Sequence, residues 1–240
     1  MDHVKEMAKR FNSMRYKHGV HQVFEDFLEL IAITISNSVD LVQYKRREAR
    51  YMQIIGQYDK SEVNIFPEMM ARLIMALEHR PDDYLGRLFM ELELYDSWKG
   101  QFFTPMSVSQ LMAELTLQDS IQLIEEKGFV TVNEPTVGGG VTIIALFNAL
   151  RAKGYNPQQV LRVIAQDIDK KAVHMSYIQF SLLGMNAEVL HGDTLALTFY
   201  ETWKTPGNIF RWGRGLAKKQ NAVETLSDLQ ESDLRQLTIF

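Results

Sequence analysis

The sequence predicts an α/β protein, with a helical first part followed by strands that alternate with helices. Three observations predict it. Apolar residues recur at helical spacing through residues 1–96, with no alternating strand pattern. After residue 128, three short apolar or β-branched runs are separated by helical patterns. Each run leads into an acidic residue: Glu134, Asp167 and Asp193. Strands alternating with helices imply βαβ units and a parallel sheet.

In the first part, Val23, Phe24, Phe27, Leu28, Ile31 and Ile35 form a helical apolar face. Arg46 to Tyr58 continues it with Ala49, Met52, Ile54 and Ile55. Ser61 and Glu62 start a further segment, with Pro67 tolerated in a first turn. Met69, Leu73, Ile74, Met75 and Leu77 supply its inner face. Pro81-Asp82-Asp83 closes that helix and opens the next, which carries Tyr84, Leu85, Leu88, Phe89 and Leu92. The basic cluster Lys45, Arg46, Arg47 and Arg50 reads first as a solvated helix face and second as a phosphate contact.

The pattern changes near Ser97-Trp98-Lys99-Gly100. Gly100-Gln101-Phe102-Phe103-Thr104-Pro105 reads as a loop. Ser107 is the expected N-cap of a helix with Val108, Leu111, Met112 and Leu115 inside. A separate short helix is expected over Asp119 to Lys127, closed by Gly128. Val130-Thr131-Val132 then reads as a strand, Gly138 to Gly140 as a tight loop, and Val141 to Lys153 as a helix. Glycines let a ligand approach the backbone, and the free N–H groups of the helix start add partial positive charge. A second strand spans Val160 to Ala165, a helix Lys170 to Leu183, and a third strand Ala187 to Leu190.

In parallel sheets, ligands bind outside the carboxyl ends of the strands. An acid after the second strand can accept from ribose hydroxyls, and one after the third from an adenine amino group. A P-loop lysine motif and the dinucleotide pattern G-x-G-x-x-G are both absent. One acid per strand end is therefore read as a nucleoside-cofactor layout.

The bulk properties narrow the class. The chain has 240 residues, enough for one large or two modest domains. Its net charge of −4 makes any nucleic-acid contact a local patch. With no cysteine there are no disulfides or thiolate sites, which suits a cytoplasmic protein. No apolar run is long enough to span a bilayer, and Met1 to Glu6 lacks the marks of a secretory signal. The histidines show no metal-ligand spacing, so no metal is expected.

Four motifs in order, Gly100 to Pro105, Glu134 to Gly140, Asp167-Ile168-Asp169 and Gly192-Asp193-Thr194-Leu195, resemble those of N6-adenine DNA methyltransferases. They are most similar to the modification subunits of type I restriction-modification systems. The resemblance implies an incomplete Rossmann-like S-adenosylmethionine-dependent methyltransferase fold behind an N-terminal helical domain. The implied divisions are 1–96 helical, 97–203 cofactor-binding, and 204–240 a basic/aromatic loop plus a C-terminal helix.

The resemblance also assigns roles. Phe103, Thr104 and Pro105 would border the methionine end of S-adenosyl-L-methionine. Glu134, with Pro135, Thr136 and the backbone at Gly138 and Gly140, would hold its amino-acid part. Asp167 and Ile168 would serve the ribose side, and Asp193 and Thr194 the adenine. Thr136 and Val137 stand where the family has smaller residues, which implies a narrower pocket. The family's catalytic [DNS]-P-P-[YFW] motif is absent. Asn208 and Phe210 are the residues nearest to it in kind, and would be a divergent catalytic pair acting on a flipped adenine.

Three explanations stand. The chain binds cofactor without methyl transfer, it completes its fold with a second protein or as a homodimer, or Asn208 and Phe210 catalyse. The first two are favoured, because a missing core strand is hard to replace locally. The leading functional reading that the resemblance implies is an S-adenosylmethionine-dependent N6-adenine DNA methyltransferase family member acting on or near DNA. The competing class is a catalytically inactive methylase-like protein that binds a partner or DNA, and a third reading is transfer to another substrate. Lys204, Arg211, Trp212, Arg214, Lys218 and Lys219 mix cations with aromatics. They read equally as a DNA contact and as a basic loop.

Overall fold

The computed structural model describes residues 2–94 and 104–210. Among these, the first part is helical: α1 (His3–Ser13), α2 (Arg15–His18), α3 (Val20–Asn37), α4 (Tyr44–Ile55), α5 (Lys60–Val63), α6 (Ile65–His79) and α7 (Tyr84–Glu91). Asp83 caps α7, its carboxylate accepting from the Gly86 N–H at 2.8 Å. Phe11, Phe24 and Phe27 meet edge to face at the centre of the bundle. Met52 and Met75, expected inside, are 59% and 50% exposed.

The second part begins with α8 (Met106–Lys127), a single helix where two were expected. Pro105 stands at its cap and Ser107 lies within its first turn. The expected inner face is also reversed. Val108, Leu111 and Leu115 are exposed, whereas Ser109, Ala113, Leu117, Ser120 and Ile124 are buried. Those mostly small residues let α8 lie close along α9 (Val141–Ala152).

β1 (Val130–Glu134), β2 (Leu161–Asp167) and β3 (Asn186–Asp193) are parallel and adjacent in chain order. The short α10 (Pro157–Val160) leads into β2, and α11 (Lys170–Leu182) crosses from β2 to β3. β4 (Thr198–Lys204) then turns back antiparallel along β3, so the sheet order is β1-β2-β3-β4. This is a Rossmann-like α/β arrangement.

The sheet's two faces differ. Register places Val132, Val163, Ala187, Val189 and Trp203 on the face that α11 covers, and all are buried. The opposite face carries Thr131, Asn133, Arg162, Glu188 and Lys204, none buried, with Ile164 and Leu190 between them. There the Arg162 guanidinium stacks 3.3 Å over the Phe129 ring, and Lys204 lies 3.8 Å from Glu188. Gln166, Asn186 and Leu190 of the same face are buried. Among the described residues, the exposed part of this face is mostly polar.

The helical part is fastened to the sheet chiefly through Arg47, the buried member of the basic cluster of α4; Lys45, Arg46 and Arg50 are exposed, as a solvated helix face expects. Arg47 is 3% exposed. Its guanidinium lies 3.8 Å over the Trp203 ring. It donates to Ser36, to Asp40 at 3.2 Å and to the Thr202 carbonyl at 3.0 Å. Arg46 pairs with Glu201, and Arg50 shares Glu29 with Lys170 of α11. One apolar core runs continuously from Val4 to Trp203.

Candidate functional site

The site gathers where β1, β2 and β3 end. Glu134, the last residue of β1, is buried. It accepts from the Thr136 N–H at 3.3 Å and the Thr142 hydroxyl at 3.0 Å. Burial pushes its carboxyl up in pKa, and these hydrogen bonds oppose the shift. Asp167 ends β2 and holds the loop across the sheet, accepting from Gly138 N–H and from Asp169 N–H, both at 2.9 Å. Burial raises this carboxyl as well, against the pull of those backbone donors. Asp193 ends β3. Its Oδ1 accepts from Leu195 and Ala196 N–H at 2.9 and 3.0 Å. Thr194 donates to the Pro135 carbonyl at 2.7 Å, tying the third strand end to the loop.

The loop needs its glycines. Gly140 has φ +96°, and a Cβ there would stand 2.6 Å from the Phe180 ring. Gly138 also has a positive φ, 54°. The backbone therefore passes close over α11, with Val137 buried beneath it and Thr136 exposed. The expected narrowing by two bulky side chains does not arise from Val137, which points into the core.

Of the residues expected from the sequence, Glu134, Pro135, Thr136, Gly138, Gly140, Asp167, Asp193 and Thr194 meet at this end of the sheet. Ile168 stands beside them, 62% exposed. Thr104 and Pro105 are exposed at the start of α8. Phe103 lies outside the described residues, as do Arg211, Trp212, Arg214, Lys218 and Lys219. Lys204 is exposed at the other end of the sheet, beside Glu188.

The expected catalytic pair is not brought to the site. Because β4 runs back antiparallel, it carries Asn208 to the amino end of β3. There the Asn208 side chain donates to Asn186 at 2.9 Å, and Thr205 binds the backbone of Met185 and Ala187. Asn186 and Asp193 are the two ends of β3, so Asn208 lies roughly 20 Å from the strand ends at the ~3.3 Å rise per residue. Phe210 is exposed.

Sequence reasoning also missed residues behind the loop. Gln179 of α11 donates to the Gly139 carbonyl at 2.7 Å and to Asp83 at 2.8 Å. The available signal was a glutamine inside the apolar run from Val173 to Leu183. Among the described residues, no group of three or more His, Asp or Glu could hold a metal ion. Nor is any helix there long and apolar enough to cross a membrane.

The chemistry of this end is that of an acceptor array. Three carboxylates stand at adjacent strand ends beside a glycine loop that leads into a helix start. This fits a polyhydroxylated, amino-bearing ligand such as a nucleoside. No curated protein matches the chain. Among solved structures it is similar to a class I S-adenosylmethionine-dependent methyltransferase from Listeria monocytogenes. The identity is 15%, over 83% of this chain and 56% of that one, with a TM-score of 0.43. It is similar too to the type I restriction-modification system methyltransferase subunit from Streptococcus thermophilus. There the identity is 15%, over 80% and 58% of the two chains, with a TM-score of 0.37. The chain spans a little over half the length of each. The model of the N-6 DNA Methylase family matches residues 88–207, half of the chain. The chain belongs to the N-6 DNA methylase family.

Proposed function

We propose that this chain binds S-adenosyl-L-methionine at the carboxyl ends of β1, β2 and β3, and acts as a methylase-like binding protein beside DNA or a DNA-bound methylase. The observation that carries the reading is the convergence of Glu134, Asp167 and Asp193 around the Gly138–Gly140 loop. Asp167 would accept from the ribose hydroxyls and Asp193 from the adenine amino group. Glu134 and the loop backbone around Gly138 and Gly140 would border the amino-acid end, with Thr104 and Pro105 beside it. Bound there, the cofactor supplies a methyl group activated by its sulfonium.

Asn208 and Phe210 stand at the far end of the sheet, and no described strand pairs with the outer edge of β1. Among the described residues, the charged side chains on the second face of the sheet support a binding protein over a fold completed by a second chain. A partner's apolar helices would have to desolvate Arg162, Glu188 and Lys204 there.

Calorimetry with S-adenosylmethionine and a labelled-methyl assay on adenine-containing DNA test this together. Binding that weakens at least about ten-fold in Asp167→Ala, without transfer, is the expected result. No heat of binding sinks the cofactor reading. Transfer by the chain alone restores the enzyme reading, and its loss in Asn208→Ala would return catalysis to that residue.

A further inference from the structure

Asp83 and Gln179 lie outside the row of strand-end acids, yet they reach the glycine loop. Asp83 is 4% exposed and Gln179 fully buried. Asp83 Oδ1 accepts from the Gly86 N–H and from Gln179 Nε2, both at 2.8 Å. The same Nε2 donates to the Gly139 carbonyl at 2.7 Å. Gln179 Oε1 accepts from the Leu85 N–H at 3.2 Å. The glutamine amide thus joins three elements: the start of α7, the body of α11 and the loop. A Cβ on Gly139 would stand 2.5 Å from Asp83 Oδ2, so the loop backbone rests directly on this carboxylate.

We infer that Asp83 and Gln179 are positioning residues for the glycine loop. They fix the Gly139 peptide from behind so that its ligand-facing side is preformed. The physical need is plain. Three consecutive glycines have more conformational freedom to lose than any other tripeptide. Gly138 is held through its N–H by Asp167, Gly140 through its N–H by the Val137 carbonyl at 2.8 Å and through its carbonyl by the Ile144 N–H at 3.0 Å, and Gly139 through its carbonyl by Gln179. The restraints on Gly138 and Gly140 come from the sheet, the loop and the start of α9. That on Gly139 comes from Gln179 of α11, whose amide Asp83 holds in turn, and this makes α7 a component of the site. Burial pushes the Asp83 carboxyl up in pKa, against the donors Gln179 and Gly86. Its role here needs only an acceptor oxygen, which either protonation state keeps.

The ligand side of this inference rests on the S-adenosylmethionine reading, and the positioning side does not. Amide hydrogen exchange of the full chain therefore accompanies calorimetry with S-adenosylmethionine, on Gln179→Leu, Asp83→Asn and Asp83→Ala. In Gln179→Leu, exchange over residues 138–142 should rise about ten-fold or more while that over Val163–Ala165 stays unchanged, and cofactor affinity should fall about ten-fold. Asp83→Asn keeps an acceptor for Gly86 and Gln179 and should retain wild-type exchange, whereas Asp83→Ala should not. If Asp83→Ala does not fold, the other two variants decide. Unchanged loop exchange in Gln179→Leu overturns the inference. So does loop exchange that rises only in step with β2, or loss of loop protection in Asp83→Asn. A wild-type chain that binds no S-adenosylmethionine removes the cofactor reading and leaves the exchange result to judge the positioning.

Discussion

Replacing Gly140 with alanine separates two costs that a glycine can hide. The first is backbone strain. At φ +96° an L residue sits where Cβ crowds the carbonyl, worth about 1–2 kcal/mol. The second is steric. The new methyl would meet Phe180 Cε1 and Cζ at 2.6 and 2.8 Å, and that ring is fully buried and cannot swing away. Overpacking of this kind costs about 1–3 kcal/mol. Together they make about 2–5 kcal/mol, or roughly 5–20 °C in Tm for a chain this long. Gly154 is the control. Its φ is +86°, but a Cβ there meets nothing within 4 Å. Gly154→Ala should therefore lose only the strain, about 1–2 kcal/mol, or roughly 2–8 °C. Urea and thermal unfolding of both variants is the assay. In a Phe180→Leu background the Gly140→Ala cost should shrink toward that of Gly154→Ala, a coupling of about 1–3 kcal/mol. Equal losses at the two glycines, or no coupling to Phe180, would refute the close passage of the loop over α11.

Other outcomes follow from the same geometry. Arg47→Ala should cost about 3–5 kcal/mol in urea unfolding, because it removes the partner of Asp40, Ser36 and the Thr202 carbonyl and uncovers Trp203; Arg47→Lys should not rescue it, since an ammonium cannot stack and fork at once. His174 is buried against Trp203, and burial holds its pKa down to about 3, against an ordinary value of 6.5. Its folded form therefore binds fewer protons than its unfolded form between those values. Its contribution is fully present above pH 6.5 and lost as pH falls toward 3, and a His174→Phe variant should show a shallower acid slope in pH-dependent melts. Burial raises the Glu29 carboxyl, but the hydrogen bonds from Arg50 and Lys170 outweigh it and hold the pKa at about 2. Stability from this group is present above the ordinary 4.5 and lost as pH falls toward 2, and Glu29→Gln should remove that part of the titration.

The strand-end acids were legible because each depends only on its own strand and on a parallel order that strand–helix alternation dictates. The glycine loop was legible for the same local reason. Arg47 was not. Its partners Thr202 and Trp203 lie about 155 positions away, so a basic run looks like a solvated face until β4 is placed. The error at α8 has another source. Leu111 and Leu115 have core character but face outward, and the contact with α9 is made by Ser109, Ala113 and Ser120, whose value is their small size. Hydrophobic periodicity is blind to close approach of that kind. Asn208 failed because separation from Asp193 along the chain was read without its direction. An antiparallel return carries a residue away from the site at the rate a parallel strand would bring one toward it.

The clasp between Arg47 and β4 bears on how the chain acquires its structure. During synthesis α4 emerges long before Trp203 does. Until the later strand is in place, the guanidinium lacks both its aromatic cover and the Thr202 carbonyl. An N-terminal helical fragment would keep this group hydrated at its surface and leave its own packing unfinished. Folding to the native state must wait for a contact of very high sequence separation, which slows it. The helices and the sheet should then be lost in one transition, monitored equally by helix dichroism and, in a chain with Trp98 and Trp212 replaced by phenylalanine, by the fluorescence of Trp203.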